Sequence, residues 1–138
     1  MVDVVSSNAI ISHASKILEL NLCTMKPSDV EFTAQYSIKM NYDETMHGLV
    51  AWWDADFSDL SQRKVTLSTS PYEKSTHWKQ TVFYTTSDFK VKRGEFVTGS
   101  IANRKSLTNF RELDIKISYH VNGSEGQKKD LINMYKLR

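Results

Sequence analysis

From Phe32 to Met40 the chain sets Phe32, Ala34, Tyr36, Ile38 and Met40 on one parity and Thr33, Gln35, Ser37 and Lys39 on the other. A period of two is the mark of a strand with one buried and one solvated face; on a helix it would scatter the apolar residues around the axis. The alternation returns over Phe96–Ala102 and Leu113–Val121, and over Lys16–Leu22, where Ile17 and Glu19 oppose Leu18, Leu20 and Leu22; Asp130–Leu137 reads as a last strand. Met46–Phe57 reads as one long strand with Gly48 as a bulge or close-contact point. Val65–Ser68 and Trp78–Tyr84 read as shorter ones. Turn signals at Lys26-Pro27-Ser28-Asp29, Lys90–Glu95 and Asn122–Gly126 punctuate the series at the spacing of roughly 8–12 residues typical of all-β domains. The one helical pattern is Ser6–Ala14, with a serine cap and the apolar spacing Ile10, Ile11, Ala14. These patterns predict an all-β, mainly antiparallel β-barrel or sandwich of about eight or more strands, with one short N-terminal helix.

With 138 residues, the chain is expected to be a single domain over 1–138, burying about two-thirds of its unfolded surface. Lys and Arg total 18 against 16 Asp and Glu. The two signs are interspersed, so no basic stripe points to nucleic acid. Cys23 stands alone and cannot form an internal disulfide, which favours a reducing compartment. Asn122-Gly123-Ser124 then reads as a hairpin turn and not as a glycosylation site. No apolar run approaches about 18 residues, so no membrane span is expected. The chain reads as soluble and intracellular.

Several chemistries lack their parts. The glycines at 48, 94, 99, 123 and 126 are dispersed and make no phosphate-cradling turn. No strands alternate with long helices, as a nucleotide-binding α/β domain requires. His13, His47 and His120 are scattered, with no carboxylate or cysteine at metal spacing. Ser68 and Ser70 lie near His77, but without a nucleophile elbow or an orienting acid. Asp54 and Asp56 share a strand face and Asp43-Glu44 sit in a turn; they suit a solvated face or steering of a cationic peptide. Trp52 and Trp53 are expected on opposite faces, one toward core and the other toward a domain contact.

The segment Leu67–Tyr84 concentrates what remains. A Ser/Thr/Pro-rich loop runs into Thr76-His77-Trp78, followed at once by an alternating stretch. This predicts an imidazole and an indole held at the mouth of a strand by sheet hydrogen bonds. By pattern alone, Trp78 as core and His77 as an ordinary surface residue is the competing reading.

Ser68-Thr69-Ser70-Pro71 with Thr76-His77-Trp78-Lys79-Gln80-Thr81 resembles the THW loop of the type I protein arginine methyltransferases. Val2-Asp3-Val4-Val5, Gly48-Leu49-Val50-Ala51-Trp52-Trp53 and Asn109-Phe110-Arg111-Glu112-Leu113-Asp114 resemble further landmarks of that family, in the same order and at similar spacings. The resemblance implies a C-terminal β-barrel, substrate-binding domain. It also implies an S-adenosyl-L-methionine-dependent activity giving mono- and asymmetric dimethyl arginine, and substrates such as arginine/glycine-rich proteins or histone tails. A homodimer in the full-length enzyme, and a cytoplasmic or nuclear location, are implied as well.

In that family the methyl-donor domain, the paired glutamates that clamp the guanidinium and the dimerisation arm all precede the barrel. The chain is therefore expected to be a C-terminal fragment with Met1 placed ahead of the family sequence, to bind no S-adenosyl-L-methionine and to be inactive alone. By the same resemblance His77 pairs with an acid of the absent domain and accepts or relays a proton, or else seals the interdomain contact. Trp78 would line the arginine channel and Thr76 would orient the loop through its hydroxyl. Arg111-Glu112-Leu113-Asp114 reads as an ion-pair and turn lock. A catalytically inactive regulatory paralogue, or a substrate-recruiting module, is the alternative. Phe110 and the bulky Trp52-Trp53 pair depart from the family pattern.

Overall fold

The alternation at residues 32–39 folds as read: Tyr36 and Ile38 are buried, while Thr33, Gln35, Ser37 and Lys39 face solvent. A computed structural model describes residues 1–57, 63, 65–122 and 128–138. Among these residues the strands are β1 (Val2–Asp3), β2 (Phe32–Lys39), β3 (Glu44–Ala51), β4 (Asp54–Asp56), β5 (Thr66–Ser68), β6 (Gln80–Val91), β7 (Phe96–Lys105), β8 (Leu113–Asn122) and β9 (Lys128–Leu137). The chain divides into two compact units. The first comprises Met1–Ile10 and His47–Thr85, the second Ile11–Met46 and Thr86–Arg138. The expected all-β, antiparallel class is what forms.

In the second unit the sheet order is β2-β7-β8-β9, antiparallel throughout. The register sets Ile38 opposite Val97 and Val97 opposite Val121. The next row toward the same face is Tyr36, Gly99, Tyr119 and Leu131. Val97, Ile117 and Tyr119 are fully buried, each contributing about 1.5–3 kcal/mol through removal of apolar surface from water. Gly99 sits between two tyrosines because nothing larger fits. A Cβ there would land on the Ser118 carbonyl oxygen and 2.8 Å from the Tyr36 hydroxyl. That hydroxyl donates to Ser118 O at 2.8 Å, the Tyr119 and Tyr135 hydroxyls lie 3.0 Å apart, and the Phe89 ring stacks on Tyr119. Burial pushes the Tyr36 and Tyr119 phenols well above the usual tyrosine range, with Tyr135 adding to both shifts.

At the entry to β8, Glu112 is 7% exposed and its carboxylate accepts from Asn109 Nδ2 at 3.1 Å and Arg138 Nε at 2.9 Å, with Lys136 Nζ 3.8 Å away. Its backbone closes the turn, donating to Asn109 O and accepting from Ser106 N–H. Asp114 meets Arg104 at 3.7 Å. This stretch is a structural lock.

In the first unit β1 lies antiparallel to the start of β6, with Val2 opposite Thr81 and Asp3 opposite Gln80. Gly48 is a close-contact point, since a Cβ would strike the Phe83 carbonyl. Three sequence expectations change. The helix expected over Ser6–Ala14 is a single 3-10 turn, Ser7–Ala9, with Ser6 Oγ accepting from Asn8 N–H. The stretch after it belongs to the end of β2, through a bridge from Ser12 to Met40 and a bond from His13 N–H to Lys39 O. Lys16–Leu22 forms no strand: Leu18 and Leu22 are exposed, so the alternation has no surface to bury against. Met46–Phe57 is not one strand but β3 and β4, interrupted at Trp52-Trp53. The turn expected over Asn122–Gly126 lies, from 123 on, outside the described residues.

Gly99→Ala is expected to cost about 3 kcal/mol, because the offending atom is backbone and cannot rotate away; urea unfolding measures it. The tyrosines give a pH dependence. An unfolded phenol ionises near pH 10 whereas the buried ones resist, so the stability they confer is intact below about pH 10 and lost as pH rises beyond it. Tyr36→Phe makes that alkaline loss shallower in urea titrations on either side of that pH.

Candidate functional site

The framework of the Thr76-His77-Trp78 segment begins in the short antiparallel pair β4–β5, where Asp54 opposes Ser68 and Asp56 opposes Thr66. Ser68 Oγ donates to Asp54 Oδ1 at 2.5 Å. Next comes Thr69, 2% exposed, whose hydroxyl accepts from Trp53 N–H at 3.1 Å and donates to Trp53 O at 2.9 Å. The Thr69 N–H donates to the same carbonyl at 3.0 Å. A threonine hydroxyl thus stands where a strand neighbour would pair with Trp53, and the long strand expected there breaks at this point.

Gln80, 5% exposed, ties the two ends of the following loop together. Its Nε2 donates to Thr69 O at 2.7 Å and its Oε1 accepts from Val5 N–H at 2.8 Å. Inside the loop Ser70 accepts from Tyr72 N–H through its hydroxyl and from Glu73 N–H through its carbonyl. Ser68 and Ser70, the two serines weighed as nucleophiles, therefore have their hydroxyls engaged in loop structure.

Thr76, His77 and Trp78 precede β6, whose first residue is Gln80. The expected strand over Trp78–Tyr84 therefore starts two residues later, and sheet hydrogen bonds do not hold the triplet. The Thr76 hydroxyl does so instead, accepting from Trp78 N–H at 3.1 Å and donating to Trp78 O at 3.0 Å. This local side-chain turn offers the backbone an alternative to the ladder. Its result is outward presentation. Trp78 is 52% exposed, so it is not core, and His77 is exposed as well. Among the described residues the His77 imidazole has no hydrogen-bond partner. Trp78 packs edge-to-face on Trp53, with centroids 5.5 Å apart and planes at 71°, and its ring lies 6.3 Å from that of His77. Trp53 is also well exposed, while Trp52 is half-buried.

The imidazole and indole of a loop fixed from behind thus form an open corner with the Trp53 indole, which stands between β3 and β4. Indole faces attract cations, and an exposed imidazole is free to hydrogen-bond a group brought against it. Sequence reasoning singled out Thr76, His77 and Trp78 and gave Thr69, Gln80 and Trp53 no part in holding them. A signal existed for Gln80, which shares the parity of buried Val82: a polar residue on an apolar parity has to find internal partners. Nothing in the pattern foretells that Thr69 is one of them. Of the other histidines, His120 pairs with Asp130 at 2.6 Å on an exposed face. Among the described residues no group of three or more His, Cys, Asp or Glu could hold a metal.

Residues 1–125 match the arginine methyltransferase oligomerization subdomain. The chain is 39% identical over 129 residues to protein arginine N-methyltransferase 1 of Schizosaccharomyces pombe, a match covering 94% of this chain and 38% of that protein. It is 33% identical over 138 residues to protein arginine N-methyltransferase 1 of Chlamydomonas reinhardtii, covering 100% of this chain and 39% of that one. The chain thus spans about two-fifths of the length of these curated relatives. Its fold superposes with a TM-score of 0.94 on the Trypanosoma brucei PRMT1 enzyme-prozyme heterotetrameric complex with AdoHcy, at 27% identity over all of this chain and 43% of that one.

Gln80→Leu keeps the bulk of the side chain and leaves the Val5 N–H and Thr69 carbonyl without partners. The expected loss is about 2–4 kcal/mol from two stranded backbone groups, read by urea unfolding. Tryptophan emission should shift to the red as the Trp53–Trp78 contact loosens.

Proposed function

The chain belongs to the arginine methyltransferase family, and from that premise we propose that it is the barrel part of a type I protein arginine N-methyltransferase, with Thr76-His77-Trp78 as one wall of the arginine site. What supports this reading above all is that His77 and Trp78 stand exposed on a loop whose fixing contacts are buried behind it.

The chemistry asks for such a wall. A guanidinium is protonated at cellular pH and delocalised, so it is a poor nucleophile until one nitrogen is aligned and a proton can leave. In this reading Trp78 offers its ring to the planar cation. His77 contacts an acidic group of the donor domain, and accepts or relays the departing proton. Thr76 keeps the two rings in place through its paired bonds to Trp78. S-adenosyl-L-methionine would supply the methyl group. No glycine-rich turn in this sequence could cradle that donor, so its site is assigned to the remainder of the parent protein. The 138-residue chain alone is accordingly inactive. The parent would form mono- and asymmetric dimethyl arginine on arginine/glycine-rich proteins or histone tails, as a homodimer, in the cytoplasm or nucleus.

A second reading has one observation in its favour. The Trypanosoma brucei assembly joins an enzyme to a prozyme, so a barrel of this kind also fits a regulatory paralogue that acts through an active partner.

His77→Ala in the full-length parent should lower turnover by about 100-fold or more while donor affinity stays near normal. Equal loss of both would mean that the loop serves only assembly. A parent that transfers no methyl by itself but raises a partner's rate would favour the regulatory reading. Calorimetry of the 138-residue chain with S-adenosyl-L-methionine should register no binding; micromolar binding would contradict the assignment of the donor site to another domain.

A further inference from the structure

In the second unit, three separate segments are laced around one buried side chain. Met40 is 1% exposed; its N–H donates to Glu95 O at 2.8 Å and its carbonyl accepts from Gly94 N–H at 2.9 Å. On the other side Asn41 N–H donates to Ile11 O at 2.8 Å and His13 N–H to Lys39 O at 2.9 Å. The backbone at residues 11–13, 39–41 and 94–95 is thus cross-braced, and side chains projecting from it start from fixed positions.

The acids beside this knot are turned to backbone duty. Asp43 Oδ1 caps Arg93 N–H at 2.6 Å and Glu95 Oε2 caps Lys92 N–H at 2.8 Å. Between the segments opens a cleft of about 630 Å³, with Met40 at its floor and His13, Lys39, Asn41, Tyr42 and Arg93 around it. No acidic side chain lines it. Among the described residues, neither the Lys39 ammonium nor the Arg93 guanidinium has a hydrogen-bond or ion-pair partner.

Two cations without counter-ions, held beside an imidazole in one concavity, concentrate positive potential there. The volume lies in the range of about 300–1,000 Å³ usual for small-molecule sites. A guanidinium fork matches a phosphate edge bidentately and an ammonium adds a point charge. The exposed Tyr42 and the Asn41 amide can meet whatever the phosphate carries. We propose that this cleft binds a phosphate group bearing two or more negative charges, free or carried on a small molecule, with Arg93 and Lys39 gripping its oxygens.

The test is a proton–nitrogen NMR titration of the 138-residue chain at constant ionic strength, with pyrophosphate, adenosine diphosphate and acetate as separate probes. Saturable shifts confined to residues 11–13, 39–43 and 92–95 are expected with pyrophosphate, and none with acetate. Tighter binding of the nucleotide than of pyrophosphate identifies a carried phosphate as the source; equal or weaker binding identifies free phosphate. Arg93→Gln and Lys39→Gln should each weaken binding about tenfold, as loss of a charged hydrogen bond does. Arg93→Gln retains the backbone N–H that Asp43 caps, and Lys39→Gln retains the carbonyl that His13 meets. Should one variant misfold, the other carries the test. Non-saturating shifts, shifts spread over other lysines and arginines, or undiminished binding in a folded variant would overturn the proposal.

Discussion

Gln80 has both ends of its amide engaged in the interior, and the candidate site hangs on that fact. A buried primary amide must find a donor and an acceptor or cost several kcal/mol. Here it finds the Val5 N–H and the Thr69 carbonyl. Those two groups belong to segments far apart in sequence, so one side chain sets where the chain enters β6 relative to where it leaves β5. Thr69 passes the constraint on to Trp53 through its hydroxyl, and Trp53 meets Trp78 edge to face. The exposed rings are therefore held by buried polar groups.

That arrangement separates two demands which conflict in a single residue. A side chain meant to touch a cation or take a proton has to stay accessible, and an accessible side chain packs poorly. The loop answers with a local turn, Thr76 on Trp78, that leaves the imidazole and indole outward. The second unit keeps its polar groups differently. Its sheet buries tyrosines whose hydroxyls satisfy one another or a carbonyl, and its largest lock, Glu112, joins the entry of β8 to Arg138. The acids near the cationic cleft do a third job, capping turn amides, and among the described residues Lys39 and Arg93 have no ion-pair partner.

The alternation of residues 32–39, 96–102 and 113–121 was legible because those strands bury one face against apolar neighbours, and burial writes a period into sequence. Lys16–Leu22 carries the same period and forms no strand, since Leu22 is 78% exposed and pairs with no ladder. Period records what a segment is able to do; a partner strand decides whether it does. Met46–Phe57 failed for a related reason. Its residues suit a strand throughout, but the Thr69 hydroxyl takes the hydrogen bonds of Trp53 and divides it. The departure at Trp52-Trp53 from the family pattern coincides with that break.

By itself the sequence determined the all-β class, the strands at residues 32–39, 96–102 and 113–121, the family, and Thr76, His77 and Trp78 as the candidate site residues. These rest on local information: side-chain period, turn residues and a short motif whose members are neighbours in the chain. Only the tertiary structure decided that Trp78 lies outside the strand and half in solvent, that Trp53 is its companion, and that Gln80 and Thr69 hold both. It also decided that His13, Lys39 and Arg93 share a cleft. Each of those facts joins residues separated along the chain, and hydrogen bonds and packing between distant segments leave no periodic trace in the order of the amino acids.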